Sequence, residues 1–264
     1  MVALAASEVG QLDPYAFLAA LGKRVIHPGG RTSTDRLLEW VEVRPGQRVL
    51  DIGCGVGITA IRLARECGAQ VVAGDIAPPM RERANSNITA VGLTGQIQVH
   101  DADVRTLGFP DDSCDVVVAE AVTMFVHRPR PAFDLRRVIR PGGRILETEF
   151  YWRHPPTAEA KQLFLGEVCP GLRFDSIQKW AGIHSDAGLI DVRTGSGPFG
   201  MMTPRGVIVD EGSHALAVIA RGMSRPAYLR KMVWLWPRMS RAVLYLGYVL
   251  VMARKPEPSA LGKA

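Results

Sequence analysis

Four acidic side chains and three glycines carry the chemistry this sequence can offer. Asp51 lies in the run Arg48-Val-Leu-Asp-Ile52, and glycines follow at alternate positions, Gly53, Gly55 and Gly57, with Cys54 between the first two. Glycine lets a backbone turn tightly and lets a ligand approach the chain closely. A carboxylate beside such a turn repels a pyrophosphate and suits a cationic group such as an α-ammonium. A dinucleotide turn wants G-x-G-x-x-G, and here the third glycine comes one residue early. Asp75 ends the run Gln70-Val-Val-Ala-Gly-Asp75, eighteen residues past Gly57, with Ile76 after it. An acid at the carboxyl end of a second strand is positioned to accept hydrogen bonds from both hydroxyls of a ribose. The competing reading of Asp75 is a cap for the helix that follows, where Pro78 and Pro79 suit early helical positions. Asp103 with Val104, and Glu120, complete the set. Glu120, His27, His127 and His154 are the candidates for taking a proton from a reacting nucleophile.

These residues need strands and helices to hold them. Val49, Leu50 and Ile52 form a short apolar run that suits a buried parallel strand. A helical pattern runs from Ile58 to Cys67, and Gly68 ends it. The second strand is Gln70–Asp75, then a helix spans Met80–Val91 with Gly92 as its stop. The third strand is Ile97–His100, and the fourth is Cys114–Glu120. A proline-broken loop containing His127 leads to a helix with Phe133, Leu135 and Val138. Arg140-Pro-Gly-Gly143 turns into a fifth strand, Arg144–Phe150. Helical patterns cover 157–180 and Trp180–Ala187, a sixth strand starts at Ile190, and the last is Gly247–Ala253. Upstream, a helix is expected around Pro14–Leu21. After the loop punctuated by Pro28, Gly29 and Gly30, Ser33 or Thr34 caps a helix carrying Leu37, Leu38, Trp40 and Val41.

The run Val49-Leu-Asp-Ile-Gly-Cys-Gly-Val-Gly57 resembles motif I of the class I S-adenosylmethionine-dependent methyltransferases, in the branch of ubiquinone/menaquinone-type and other small-molecule enzymes. The resemblance extends to about Pro141-Gly-Gly143. It implies a Rossmann-like α/β fold, with a seven-stranded sheet, helices on both faces and a helical cap. It implies S-adenosyl-L-methionine as cofactor, bound by Asp51, Gly53, Cys54, Gly55, Gly57, Asp75, Ile76, Asp103, Val104 and Glu120. The segment Asp101–Asp111 resembles the family stretch ending Leu-Pro-Phe-Pro-Asp. Counting back from Phe109 puts Asp103 on the adenine amino group, with Asp101 as the rival and the Val104 N–H on the ring. Glu120, Met124 and Phe125 would border the methyl group. Glu120, His127 and His27 are the catalytic candidates, and Glu120 as a purely structural hydrogen-bonding group stays open beside that. The segment before motif I is expected to fold over the cofactor, bringing Tyr15, His27 or Arg31 to the site; a plain connector is the alternative.

Length, charge and cysteine usage bound the rest. The 264 residues allow one domain with additions. The net charge of +6 rests on basic residues spread along the chain, so nucleic acid is not expected as a partner. Four cysteines at 54, 67, 114 and 169 show no C-x-x-C spacing. They read as reduced thiols, with no metal site, in a cytoplasmic protein. No signal peptide is expected, and the longest apolar run is too short to span a bilayer. The expected organisation is a cap or lid over 1–42, a cofactor-binding core over 43–200, an insertion over 201–243, and a last strand and tail over 244–264. The insertion holds helical patterns at Gly212–Gly222 and Pro226–Arg241, and Pro226 and Pro237 are expected to break the region into short pieces. Leu229, Met232, Val233 and Trp236 are expected to bury against protein as a cover over the acceptor. A membrane-surface helix, suggested by Trp234 and Trp236 among Arg230, Lys231, Arg238 and Arg241, is the less favoured alternative, because short pieces suit a folded cap better than one long interfacial helix. The function expected is transfer of a methyl group to a small-molecule acceptor, releasing S-adenosylhomocysteine. The alternatives are a non-catalytic S-adenosylmethionine-binding partner subunit and a lipid or quinone methyltransferase at the membrane surface. The identity of the acceptor and the oligomeric state are not written in the sequence.

Overall fold

The computed structural model describes residues 5–126 and 129–258. His127, one of the candidate bases, and the end of the tail lie outside the described residues. Seven strands are β1 (Arg48–Ile52), β2 (Gln70–Asp75), β3 (Ile97–Asp101), β4 (Cys114–Glu120), β5 (Ile139–Trp152), β6 (Ile190–Pro198) and β7 (Leu246–Arg254). They form one sheet in the order β3-β2-β1-β4-β5-β7-β6. The first five are mutually parallel, and β7 runs antiparallel to both neighbours. Helices α1 (Ala6–Gln11), α2 (Pro14–Ala20) and α3 (Gly30–Val41) precede β1. Helices α4 (Ile58–Cys67), α5 (Pro78–Ala90) and α6 (Pro129–Val138) connect the parallel strands. Beyond β5 come α7 (Ala158–Lys161), which runs into π-helical turns at Gln162–Val168, and α8 (Ile177–Asp186). Between β6 and β7 lie α9 (Pro204–Glu211), α10 (Ala215–Ser224) and α11 (Pro226–Ala242).

The period-2 alternation of strands builds the two faces. Val49, Val71, Ala73, Val116 and Val118 share a cluster with residues of α3, α4 and α5. Leu50, Ile52, Val117, Ala119 and Ile145 share another with Leu135 and Val138 of α6. Central strands covered on both sides read as continuous apolar runs, which is why their bounds are so legible. A third cluster joins the cap to the β5–β7 half, through Phe17, Met124, Phe150, Phe164, Trp180, Tyr228 and Met239 among others. The strand order reverses between β1 and β4. That is the switch point where open α/β sheets bind ligands, and Asp51 and Glu120 stand at or near the carboxyl ends of those two strands.

Several local expectations change, among them the helical pattern over 157–180, which is interrupted between Val168 and Ile177. Helix α3 begins at Gly30, with Gly29 as its N-cap, so Ser33 and Thr34 lie inside it and are free for other partners. The Arg140–Gly143 turn is absorbed into β5, as a register irregularity opposite Cys114 and Val116. An additional helix, α9, opens the insertion. Helix α11 runs 17 residues straight through Pro237, because packing of Leu235, Met239 and Ala242 on the core offsets the ~3 kcal/mol an internal proline costs. That helix is also turned relative to the expected cover. It buries Tyr228, Leu235, Met239 and Ala242, whereas Leu229, Val233 and Trp236 face outward and only Met232 packs inward. Helix α11 is apolar on two sides, so periodicity alone does not select which one the core takes.

Candidate active site

The turn after β1 has the conformation its glycines imply. Gly53, Gly55 and Gly57 have φ of +72°, +53° and +82°, a region costly for residues with a Cβ. A Cβ at Gly53 would drive into Val122, and one at Gly57 would press on Ala84. One at Gly55 would meet nothing within 4 Å. The first and third glycines are thus needed for packing, and the second opens onto free space. Cys54 is buried between them, and burial pushes its thiol pKa well up, so it stays a neutral thiol.

Asp51 is buried beside that turn, and its Oδ2 has no hydrogen-bond partner. Burial, then Glu120 and Asp75, raise its pKa well above the carboxylate range, against a backbone N–H from Ala60. Asp75 is also buried. Its Oδ2 accepts from the Gly55 N–H at 2.8 Å and its Oδ1 from the Ala77 N–H at 2.8 Å. It therefore does the capping work of one reading and braces the glycine turn as well. Each oxygen keeps a second lone pair for a ligand hydroxyl. Ile76 beside it is 55% exposed.

Glu120 is bound on both oxygens. Oε1 accepts from Thr34 Oγ1 at 2.8 Å and Oε2 from Thr59 Oγ1 at 2.6 Å, while His27 Nε2 stands 3.6 Å from Oε1. His27 in turn lies 3.3 Å from Ser33 Oγ through Nδ1 and 3.2 Å from Thr34 Oγ1 through Nε2. Asp51, Glu120, His27, Thr34, Thr59 and the glycine turn line one cleft. His27, from the segment before β1, therefore stands at this cleft. Arg31 is exposed beside the same cleft, and its backbone N–H donates to Asp210. Tyr15 packs edge-on against Phe125, centroids 5.3 Å apart, with its hydroxyl buried and unpartnered. Met124 is fully buried in the cap cluster, and Phe125 is half exposed. His154 lies on the exposed loop after β5 and is not among the cleft residues.

Asp103 and Val104 lie past β3, on the side of the sheet beyond β2. The Arg105 guanidinium grips the Asp103 carboxylate at 2.6–3.0 Å and holds its pKa below the usual range. Asp101, the rival, is exposed and paired with Arg81 at 3.1 Å. A ligand base here would share the Asp103 carboxylate with Arg105.

Two buried charge clusters were not anticipated from sequence. Lys23 Nζ meets Asp210 Oδ2 at 2.7 Å, and Glu211 accepts from the Arg24 side chain and from the Arg24 and Val25 N–H groups. This ties the segment between α2 and α3 to α9. Second, Glu149 Oε1 accepts from the Val122 and Thr123 N–H groups and from Thr123 Oγ1, fixing the turn that presses Val122 on Gly53. Burial, then Glu147, push the Glu149 pKa up to about 8. Glu147 pairs with buried His184 at 3.2 Å. The one sequence signal was the Glu147-Thr-Glu149 interruption of an otherwise apolar strand.

Residues 50–146 match the family model described as a methyltransferase domain. An uncharacterized protein of Haemophilus influenzae is 31% identical over 224 residues, covering 83% of this chain and 86% of that protein. Phosphoethanolamine N-methyltransferase 1 of Arabidopsis thaliana is 29% identical over 175 residues, 65% of this chain; the chain spans only 34% of that relative's length. Among solved structures, a Haemonchus contortus phosphoethanolamine N-methyltransferase 2 in complex with S-adenosyl-L-methionine superposes with a TM-score of 0.75 at 19% identity. That match covers 96% of this chain and 58% of the other, and it shows a shared fold. The chain belongs to the class I S-adenosylmethionine-dependent methyltransferases, and S-adenosylmethionine is its cofactor.

Proposed function

We propose that this methyltransferase acts on a small-molecule acceptor, with Glu120 and His27 handling the acceptor's proton. The residues present fit the cofactor. The unpartnered Asp51 Oδ2 offers a buried carboxyl oxygen whose charged form the cofactor's ammonium group would favour, and the open space at Gly55 lets the cofactor lie against the backbone. Asp75 would take its ribose hydroxyls, Ile76 would cover its base, and Asp103 and the Val104 N–H would bond the base edge. S-adenosylmethionine supplies an already activated methyl group, so the chain's own task is positioning and proton handling.

Enclosure is the observation that carries the acceptor reading. The side chains of Glu120 and His27 are 6% and 8% exposed, beneath a lid tied to α9 by the buried Lys23–Asp210 pair. A small molecule fits under such a lid, whereas a folded macromolecule would have to displace it. Within the cluster, Thr34 and Thr59 hold the Glu120 carboxylate in one orientation. Thr34 spends its one hydroxyl proton on Glu120, so His27 Nε2 donates to Thr34 Oγ1, and a proton taken by the Glu120 carboxylate would be held within this hydrogen-bonded cluster facing the imidazole. The test is transfer of labelled methyl from S-adenosylmethionine to panels of small hydroxyl, amine, thiol and carbon acceptors, with peptides and nucleic acids alongside. Labelling within the small-molecule panel, reduced about 10²–10⁴-fold by Glu120→Gln, is the expected result. Transfer to macromolecules alone, or cofactor binding without turnover on any acceptor, would overturn the reading.

A further inference from the structure

The insertion between β6 and β7 has a second apolar face that the fold does not use. Its inward side is committed, since Tyr228, Leu235, Met239 and Ala242 of α11 and Val218 of α10 are buried in the cap cluster. On α10, Leu216, Ile219 and Met223 recur at spacings of three and four and are 74%, 44% and 67% exposed. On α11, Leu229, Val233 and Trp236 recur likewise and are 45%, 65% and 57% exposed. The two helices pack side by side, with Met232 against Gly222. Single exposed apolar residues are ordinary, but two adjacent helices each presenting a stripe mark an interaction surface.

The charge around these stripes says what that surface suits. Residues 212–245 contain no Asp or Glu and carry Arg221, Arg225, Arg230, Lys231, Arg238 and Arg241. Basic residues are spread along the whole chain, but outside this stretch acids balance them, so the net +6 sits here. Lys231 and Arg238 flank the Trp234 ring at 4.8 and 4.4 Å. Arg238 and Arg241 reach Glu167 and Glu159 outside the stretch, but those carboxylates are 38% and 66% exposed, so both pairs are solvent-screened and exchangeable. We propose that α10 and α11 form a docking face for an anionic lipid bilayer surface. Apolar and tryptophan side chains bordered by arginines are the composition of helices that lie in the lipid interface. No described helix is long and apolar enough to cross a membrane, so docking is peripheral. A second copy of the chain is the poorer occupant, because it would press two such cationic stretches together.

The test is flotation of the full chain with phosphatidylcholine vesicles, with and without phosphatidylglycerol. Recovery with the anionic vesicles, weakening as salt rises, is expected. Arg225→Glu and Arg230→Glu should each lower partitioning by about five-fold or more, the equivalent of ~1 kcal/mol per charge near an anionic surface. The pair Val233→Ser and Trp236→Ser should abolish flotation while leaving the melting temperature and S-adenosylhomocysteine affinity unchanged, because both side chains already face solvent. No flotation with anionic vesicles at low salt would overturn the proposal. So would flotation that the Val233→Ser/Trp236→Ser variant retains, or a dimer that this variant dissolves.

Discussion

Replacing Asp51 with Asn separates the demands of folding from those of binding. The carboxylate is buried, lacks a partner on Oδ2, and faces Glu120 and Asp75. Asn keeps the shape and one acceptor oxygen for the Ala60 N–H, and removes the charge. The charge-assisted bond it would make to the cofactor's ammonium is worth ~1.5–3 kcal/mol, so affinity for S-adenosylhomocysteine should fall about 10- to 150-fold. Stability without ligand should move the other way. Because the folded-state pKa of Asp51 is raised, the folded protein holds a proton that the unfolded chain has released. Its stability therefore declines as pH climbs from the ordinary carboxylate range towards the raised value. Asn should flatten that decline and raise the melting temperature at neutral pH, by about 2–4 °C for each ~1 kcal/mol recovered in a chain of this size. Titration calorimetry and melting curves across pH read both effects. An Asn variant that binds S-adenosylhomocysteine as tightly as the parent, or melts lower without it, would refute the reasoning.

The glycine turn gives a paired prediction. Gly55→Ala should weaken cofactor binding with a stability loss of only ~1–2 kcal/mol, the strain of its left-handed backbone, because its Cβ points into open space. Gly53→Ala should instead lower the denaturation midpoint more than Gly55→Ala does, because its Cβ collides with Val122; equal effects on binding and folding from the two would contradict the assignment. Lys23→Met should cost ~3–5 kcal/mol in chemical denaturation, because it leaves Asp210 and Glu211 buried without their shared cation. It should also speed proteolysis of the lid; a loss below ~1 kcal/mol would mean that the pair does not hold the lid.

The core was legible because it is built from local rules. Runs such as Gln70–Asp75 and Cys114–Glu120 are apolar throughout, since a parallel strand between two helical layers has no wet face. Glycines at 57, 68 and 92 mark helix ends by their left-handed geometry. Asp51 and Asp75 stand out because acids close apolar strands only where something outside the sheet needs them. What could not be read depends on distant pairing. Thr34 and Thr59 meet on Glu120 from different helices, 86 and 61 residues away along the chain. Lys23 finds Asp210 across 187 residues. For α11, two apolar stripes compete for the interior, and only the shape of the cap decides that Tyr228 goes in and Trp236 stays out.

The three buried acid clusters show how the same residue type serves different ends. Asp210 and Glu211 face Lys23 and Arg24, and the charges offset one another; Glu211 stays below the usual carboxylate range despite its burial, because Arg24 and Lys23 outweigh it. Glu147 and Glu149 share His184, Thr123 and backbone donors, and the surplus is met by a proton on Glu149. At Asp51, Glu120 and Asp75, Thr hydroxyls and backbone N–H groups are the main opposition, with His27 facing Glu120 and Arg81 acting on Asp75. A fold selected for stability alone would pair or replace that excess, since an uncompensated buried carboxylate costs free energy. Its persistence at the switch point of the sheet is explained by a ligand that brings the missing positive charge. The chain tolerates the repulsion in its free form and recovers it on binding, which is why the same substitution at Asp51 should stabilise one state and weaken the other.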